Sequence, residues 1–257
     1  MQFTFYDDID ELLKDLRHRM QQILDEKLLG LYLYGSLVSG DFVMEISDID
    51  LLAVTSSVID NSEFEKLQRM HSEFTTDNPN WSNRIEIQYV SINALETFKT
   101  QTSKIANISP GEPFHFIEAG KDWLMNWYFV QEYGVTLFGP APTTFIEPIA
   151  KEEYLEAVRE QGQSYGEWIK HKQKRNDQSY VILTLCRALY TLENGEQVSK
   201  KQAALWAQKH LPQWASLIQN ALAWRAASFS KEEVNHEATM PETTRFIRFA
   251  IRQITSS

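Results

Sequence analysis

Two aspartates, Asp48 and Asp50, are separated by a single residue in the stretch YGSLVSGDFVMEISDIDLLAV, which runs from position 34 to position 54. On a β-strand, side chains two positions apart project from the same face, so these carboxylates are expected to point together. Like charges held this close repel each other unless a cation lies between them. Because Mg²⁺ typically takes one or two protein carboxylates and completes its shell with water and phosphate oxygens, we predict that both aspartates are catalytic metal ligands.

A phosphate-binding turn is predicted just upstream of the aspartates. Gly35 and Ser36 follow the apolar run LYLY, and a small residue there lets backbone N–H groups and a hydroxyl approach a phosphate oxygen. Ser47, directly before the first aspartate, can supply a second hydroxyl. We therefore predict that Gly35, Ser36 and Ser47 bind a nucleotide co-substrate.

A third acid, Glu86, lies in the alternating stretch RIEIQYV, which favours a strand. If this strand neighbours the one that follows Asp48, the three acids share one wall of a cleft. Such a set suits metal-assisted nucleotidyl transfer, in which two acids hold the cation and a base activates the incoming hydroxyl. We predict that Glu86 is this catalytic base and contacts the acceptor.

The elements that position these residues follow from hydrophobic period and turn residues. The first 142 residues alternate between helices and strands, and the remainder has only helical patterns. We predict an α+β fold, with a nucleotidyltransferase domain of mixed β-sheet and helices at 1–142 and an all-helical domain at 143–257. The predicted helices span 8–28, 62–74, 152–172, 178–192, 200–209 and 214–227, with a last helix after Pro241, and the predicted strands span 31–34, 49–54 and 84–90.

Composition limits the partners. The 25 basic and 35 acidic residues give a formal charge of −10, which disfavours nucleic acid and suits a cationic small molecule. No apolar run approaches the ~20 residues of a membrane span, and the acidic N-terminus lacks a signal-peptide pattern, so we expect a cytoplasmic protein without a membrane partner. The single cysteine, Cys186, is expected to be buried and inert. The sequence is compatible with a monomer.

These motifs resemble those of the nucleotidyltransferase superfamily that includes DNA polymerase beta and, more closely, the aminoglycoside adenylyltransferases that modify streptomycin and spectinomycin. The resemblance extends through Leu137–Pro140 and into the helical half, at VILTLCRALYTLENGEQVSKKQAALWAQKHLP. It implies that Ser36, Ser47, Asp48 and Asp50 form the ATP and Mg²⁺ site and that Glu86 deprotonates the antibiotic hydroxyl. Residues of the helical half are matched as well: Arg187 and Lys200 to basic residues that hold the triphosphate, and Asp177 to an acid that faces the drug.

Three functions remain open at this point. The first is Mg²⁺-dependent transfer of AMP from ATP to an aminoglycoside or aminocyclitol hydroxyl, with release of pyrophosphate. The second keeps this catalyst but uses another small molecule or a protein hydroxyl as acceptor. The third is a non-catalytic, antitoxin-type partner protein, against which the retained acids argue. The segment Leu95–Asp122 departs most from the family, with His115, Phe116 and Trp123 as unassigned candidates for drug contacts.

Overall fold

The computed structural model describes residues 2–172, 174–227 and 237–256. The chain divides into two compact units, Met1–Ile149 and Ala150–Ser257. This division falls shortly after the domain boundary that the sequence suggests at Pro142, and that boundary stays a prediction.

The first unit is built on a six-stranded mixed sheet with the strand order β5-β4-β3-β2-β1-β6. Strands β2 and β3 run parallel, whereas the other neighbouring pairs are antiparallel. The mixed sheet predicted from the sequence is thereby confirmed. Its strands are β1 (Leu28–Tyr34), β2 (Ile49–Thr55), β3 (Ile85–Ser91), β4 (Ser103–Ile108), β5 (His115–Ala119) and β6 (Val135–Phe138).

Among the described residues of this unit, five α-helices accompany the sheet. Helix α3 (Asn61–Asp77) begins with a reciprocal cap, in which the Asp60 carboxylate accepts from the Glu63 N–H at 2.8 Å and the Glu63 carboxylate accepts from the Asp60 N–H at 2.8 Å. The five are α1 (Asp7–Leu24), α2 (Ser36–Ser39), α3 (Asn61–Asp77), α4 (Ile92–Thr97) and α5 (Leu124–Tyr133).

The two faces of the sheet have different roles. Leu31, Leu51 and Ile87 belong to the same buried core as the apolar faces of α1 and α3. Because side chains alternate along a strand, the intervening residues project from the opposite face. Asp50 in β2 and Glu86 in β3 are therefore kept away from the core under α1 and α3, where an unpaired carboxylate would be costly.

In the second unit, every regular element among the described residues is a helix. Helix α7 is the central one, since it packs against each of the other four. Cys186 lies within it and is fully buried, and burial raises the pKa of its thiol to about 12, as suits an inert cysteine. The helices are α6 (Lys151–Trp168), α7 (Arg175–Asn194), α8 (Lys200–His210), α9 (Ala215–Ala226) and α10 (Met240–Ser256).

Across both units, none of the helices described is both long enough and apolar enough to cross a membrane.

Candidate active site

Asp48, Asp50 and Glu86 converge on the sheet of the first unit. Asp50 in β2 is paired in register with Glu86 in the parallel strand β3, so the two side chains are neighbours on one face. Each of the three acids offers a carboxylate oxygen, and these oxygens all lie within 4.8 Å of one another. The condition set by the sequence, that the strand of Glu86 neighbours the strand after Asp48, is met.

Asp48 differs from the expectation in one respect. Strand β2 begins at Ile49, so Asp48 precedes the strand instead of lying on it. The alternation of the strand therefore orients Asp50 but not Asp48. The direction of the Asp48 side chain depends on the loop before β2.

The Glu86 carboxyl lies in a half-buried setting that favours its neutral form. Burial, followed by the negative charge of Asp48, raises the pKa of Glu86 from 4.5 to about 7. A hydrogen bond from Gln88 opposes this rise, with its Nε2 atom 3.3 Å from Glu86 Oε1. A group with a pKa near 7 can accept a proton close to neutral pH, as a general base must.

Two buried residues that the sequence did not single out support Glu86. The Gln88 side chain is fully buried, and its Nε2 atom also donates to the Tyr34 hydroxyl at 2.6 Å. Tyr34 lies opposite Asp50 in β1 and shares a further hydrogen bond with Asn126 of α5. Burial raises the pKa of Tyr34 well above its usual range, so this hydroxyl keeps its proton. The only sequence signal for this network was the polar character of position 88 in RIEIQYV.

Gly35 and Ser36 form a sharp turn beside the acids. Gly35 has φ 74°, and a Cβ atom at this position would overlap with the Asp50 carboxylate, so only glycine fits here. The Ser36 Oγ atom is buried and has no hydrogen-bond partner among the described residues. Since a buried hydroxyl is normally paired, Ser36 is suited to bind an oxygen of a ligand such as a phosphate.

Ser47 has a structural contact in addition to its predicted role. Its buried hydroxyl accepts a hydrogen bond from the Val43 N–H at 2.9 Å. This bond closes the turn before Asp48. The hydroxyl can still donate its own proton, so a contact between Ser47 and a phosphate stays a prediction.

The donor set fits Mg²⁺. Carboxylate oxygens are hard ligands, and two or three of them at this spacing leave room for water and phosphate oxygens in an octahedral shell. The negative charge of Asp48 contributes to the raised pKa of Glu86, so these two carboxylates repel each other. A divalent cation bound to Asp48 and Asp50 would relieve this repulsion.

The matched cations of the second unit lie beside tyrosine side chains. Asp177, Tyr180 and Arg187 recur along α7 at spacings of three and seven residues, which places them on one side of the helix. The Lys200 Nζ atom lies over the Tyr180 ring, 4.3 Å from its centroid. Tyr165 of α6 also contacts the Tyr180 ring, and the charge of Arg187 acts on its hydroxyl. Arg187 and Lys200 are thus the cations of one aromatic cluster, in which Tyr165 and Tyr180 had not been recognised from the sequence.

Asp177 contributes to the stability of α7. Its Oδ2 atom accepts a hydrogen bond at 3.1 Å from the backbone N–H of Lys174, the residue before the helix begins. An acid at this position stabilises the first turn. A substitution at Asp177 must therefore preserve this acceptor if its effect on substrate binding is to be isolated.

Segment 95–122 contributes β4 and β5 to the sheet. Phe116 is engaged in packing, since its ring stacks on Phe64 with centroids 4.5 Å apart and carries the Lys104 ammonium 3.6 Å from its centroid. His115 Nδ1 lies 2.7 Å from the Pro113 carbonyl oxygen. These contacts describe how the segment folds, and its relation to a drug stays a prediction.

A mixed sheet that carries three converging acids beside a Gly-Ser turn defines a nucleotidyltransferase domain. Residues 9–100 match the family model described as "Nucleotidyltransferase domain", and residues 144–253 match "Aminoglycoside adenylyltransferase, C-terminal domain". The chain thus resembles the aminoglycoside adenylyltransferases in both halves, as its sequence motifs suggested, and is an enzyme of the nucleotidyltransferase type.

Individual relatives agree with this assignment. An aminoglycoside (3'') (9) adenylyltransferase of Escherichia coli is 25% identical over 247 residues, which cover 92% of this chain and 91% of the relative. A protein of the same name from Rhizobium radiobacter is 30% identical over 128 residues, 49% of this chain and 45% of the relative. A spectinomycin 9-adenylyltransferase of Staphylococcus aureus is 25% identical over 202 residues, 75% of each chain.

The fold has a counterpart among solved structures. A spectinomycin adenyltransferase from Enterococcus faecialis, crystallised with ATP and spectinomycin, matches with a TM-score of 0.73 at 19% identity. The match covers 95% of this chain and 98% of that chain. The predicted fold class, a nucleotidyltransferase domain followed by a helical region, is confirmed.

Proposed function

We propose that this protein catalyses the Mg²⁺-dependent transfer of AMP from ATP to a hydroxyl group of an aminoglycoside or aminocyclitol antibiotic, with release of pyrophosphate. The observation that carries this proposal is the cluster of Asp48, Asp50 and Glu86, whose carboxylate oxygens lie within 4.8 Å of one another. The matching family models and the names of the relatives support ATP and an antibiotic as the two substrates.

Glu86 accepts the proton of the acceptor hydroxyl in this reaction. The hydroxyl oxygen forms a bond to the α-phosphorus of ATP, and the bond from that phosphorus to the bridging α–β oxygen breaks, so pyrophosphate leaves. A carboxyl with a pKa of about 7 is well matched to a proton transfer near neutral pH. Gln88 and Tyr34 keep Glu86 oriented through the hydrogen bonds described above.

Asp48 and Asp50 hold the cation, and Gly35, where a side chain would collide with the Asp50 carboxylate, binds the nucleotide through its backbone. Mg²⁺ bound there would orient the triphosphate and neutralise the negative charge that develops during the transfer. The Ser36 hydroxyl donates to a phosphate oxygen, which would satisfy its hydrogen-bonding capacity.

Arg187 and Lys200 bind the triphosphate in this proposal, because ATP carries about four negative charges and charge-assisted hydrogen bonds to phosphate are strong. Asp177 binds an amine of the acceptor. An acidic protein with a net charge of −10 attracts such a polycation. A cytoplasmic location, where ATP is available, is part of the same proposal.

Pyrophosphate release tests the proposal directly. The purified chain is incubated with ATP, Mg²⁺ and either streptomycin or spectinomycin, and mass spectrometry checks whether the antibiotic gains one AMP group. We expect release that requires both Mg²⁺ and antibiotic and that disappears in the Asp48→Asn/Asp50→Asn double variant. If neither antibiotic nor any related aminoglycoside supports release but a cell extract or protein acceptor does, the acceptor assignment is wrong. If none of the tested acceptors supports pyrophosphate release, the proposal is overturned.

A further inference from the structure

The Arg84 side chain forms several hydrogen bonds to the loop that carries Asp48. Its Nε atom donates to the Ser47 carbonyl oxygen at 2.9 Å, and its Nη2 atom donates to the Met44 carbonyl oxygen at 2.6 Å and to that of Ser47. Nη1 donates to the Asn80 carbonyl oxygen at 3.2 Å. One guanidinium thus joins the loop before β2 to the segment before β3.

The backbone of Arg84 holds the other side of Asp48. Its carbonyl oxygen accepts a hydrogen bond from the Ile49 N–H at 2.9 Å. The side chain of Arg84 therefore fixes the residue before Asp48, and its main chain fixes the residue after it. Arg84 is also two residues before Glu86, so the strand that carries the proposed base is tied to the loop that carries the proposed metal ligand.

Aromatic contacts keep the guanidinium in place. The Arg84 guanidinium carbon lies 4.5 Å from the centroid of the Trp81 ring, and the Trp81 ring stacks on Phe42 of the loop with centroids 6.4 Å apart. The loop is closed further by a hydrogen bond from the Ser47 N–H to the Val43 carbonyl oxygen at 2.8 Å. The planar fork of arginine suits this set of carbonyl oxygens and the stacked ring, whereas an ammonium cannot reproduce it.

We propose that Arg84 is a positioning residue that fixes the Asp48 carboxylate beside Asp50 and Glu86 by holding the loop before β2. Asp48 needs such a device because it lies outside the strand, where alternation cannot orient it. This inference rests on the proposed cation site at Asp48 but not on the identity of the acceptor.

The charge of Arg84 and its positioning role predict opposite effects of a substitution on cation affinity. Arg84 carries a positive charge that interacts with Asp48, so loss of the charge alone would strengthen the attraction of the acids for a cation. Loss of positioning would weaken cation binding instead. Substitution of a residue that orients a metal ligand commonly lowers metal affinity by about 10-fold to 100-fold.

Binding of Mn²⁺ to the full chain, followed by electron paramagnetic resonance of the free ion, separates these effects. Mn²⁺ is used because it shares the preference of Mg²⁺ for octahedral oxygen ligands. Arg84→Lys keeps the charge and loses the fork, and Arg84→Gln removes the charge. Arg19→Gln is the matched control, because Arg19 also has hydrogen-bond partners and lies over an aromatic ring, that of Phe74, but on α1.

We expect both Arg84 variants to bind Mn²⁺ about tenfold more weakly than the wild-type chain, while Arg19→Gln binds it equally well. If Arg84→Gln unfolds, Arg84→Lys alone decides the question, with its unfolding temperature measured in parallel. Unchanged Mn²⁺ affinity in Arg84→Lys, or tighter binding in Arg84→Gln, would overturn the positioning role and leave the cation site standing. Failure of the wild-type chain to bind Mn²⁺ would instead overturn the cation site, and this inference with it.

Discussion

Asp50 and Glu86 lie opposite each other in adjacent parallel strands, paired in register. The hydrogen-bonded sheet therefore sets the separation between a proposed metal ligand and the proposed base. Tyr34 in β1 is paired with Asp50 as well, on the side of β2 opposite to β3. A site built across three strands is more rigid than one built on loops. Asp48 is the member that depends on a loop.

Removal of either metal-binding carboxylate should abolish the transfer. We expect Asp48→Asn and Asp50→Asn each to reduce turnover by far more than tenfold, because the cation needs both charges, while the unfolding temperature stays close to that of the wild type. Turnover is measured as pyrophosphate release, and Asp8→Asn, an exposed substitution on α1, is the control. A variant that keeps more than about a tenth of the activity, a loss below ~1.4 kcal/mol in barrier terms, would contradict the metal site.

Substitution of the base should separate catalysis from binding. Glu86→Gln keeps the size of the side chain and its contact with Gln88, but it cannot accept the proton. We expect turnover to fall by roughly 10² to 10⁴ while ATP affinity, measured by calorimetry, is nearly unchanged. Glu118→Gln, on the exposed side of β5, should behave like the wild type. An equal loss of ATP binding would identify Glu86 as a metal ligand instead.

Much of this architecture was predictable from the sequence. Helices α1, α3 and those of the second unit have a regular apolar period, and their ends differ from the predicted ones by a few residues because caps and fraying decide the ends. Strand β3 was predicted from alternation, and the motif at Gly35 and Asp50 led to the proposed site. The pairing of β3 with β2 was only a condition, because strand order depends on contacts that a local pattern does not contain.

Other elements left no usable pattern. Helix α5 reads LMNWYFVQEY and is apolar around most of its circumference, because Trp127, Tyr128, Phe129 and Val130 are all buried. Strands β5 and β6 lie at the two edges of the sheet and have mostly half-exposed side chains, so they do not alternate clearly. The bond between Gln88 and Tyr34 joins positions 54 residues apart, which composition and spacing cannot reveal.

Substitution of Arg187 or Lys200 should weaken the binding of ATP more than that of the acceptor. We expect Arg187→Ala and Lys200→Ala each to raise the Michaelis constant for ATP by about tenfold, the loss that follows from removal of one charge-assisted contact to phosphate. Lys201→Ala, the exposed neighbour of Lys200, is the matched control. If both variants bind ATP as the wild type does, these residues have no part in holding the triphosphate.

The buried His71 should make stability depend on pH. Burial lowers the pKa of His71 from 6.5 to about 4, and its Nε2 atom lies 2.9 Å from the Tyr89 hydroxyl oxygen. In the unfolded chain this histidine binds a proton near pH 6.5, whereas in the folded chain it stays neutral down to about pH 4. The contribution of neutral His71 to the free energy of unfolding is therefore complete above pH 6.5. As the pH falls towards 4, this contribution is lost, and the free energy of unfolding decreases by up to about 3 kcal/mol.

Denaturant unfolding at several pH values between 4.5 and 7.5 measures this effect. His71→Gln cannot titrate, so its free energy of unfolding should fall less than that of the wild type as the pH is lowered through this range. Comparison of the two proteins isolates His71 from other titrating groups. His18→Gln, an exposed histidine substitution on α1, is the matched control. The same slope in His71→Gln as in the wild type would show that His71 does not stay neutral in the folded protein.

Asp177 provides the test of the acceptor. Its Oδ2 atom caps α7 through the Lys174 N–H, so an alanine would both loosen the helix and remove the charge. Asp177→Asn retains an acceptor oxygen for this hydrogen bond and removes only the negative charge. We expect it to raise the Michaelis constant for an aminoglycoside by about tenfold, the loss caused by removal of one charged partner of an amine, with little effect on ATP. Asp177→Ala should have at least the same effect and a lower unfolding temperature. If Asp177→Asn leaves the Michaelis constants for streptomycin and spectinomycin unchanged, Asp177 contacts neither drug, and its role is confined to the first turn of α7.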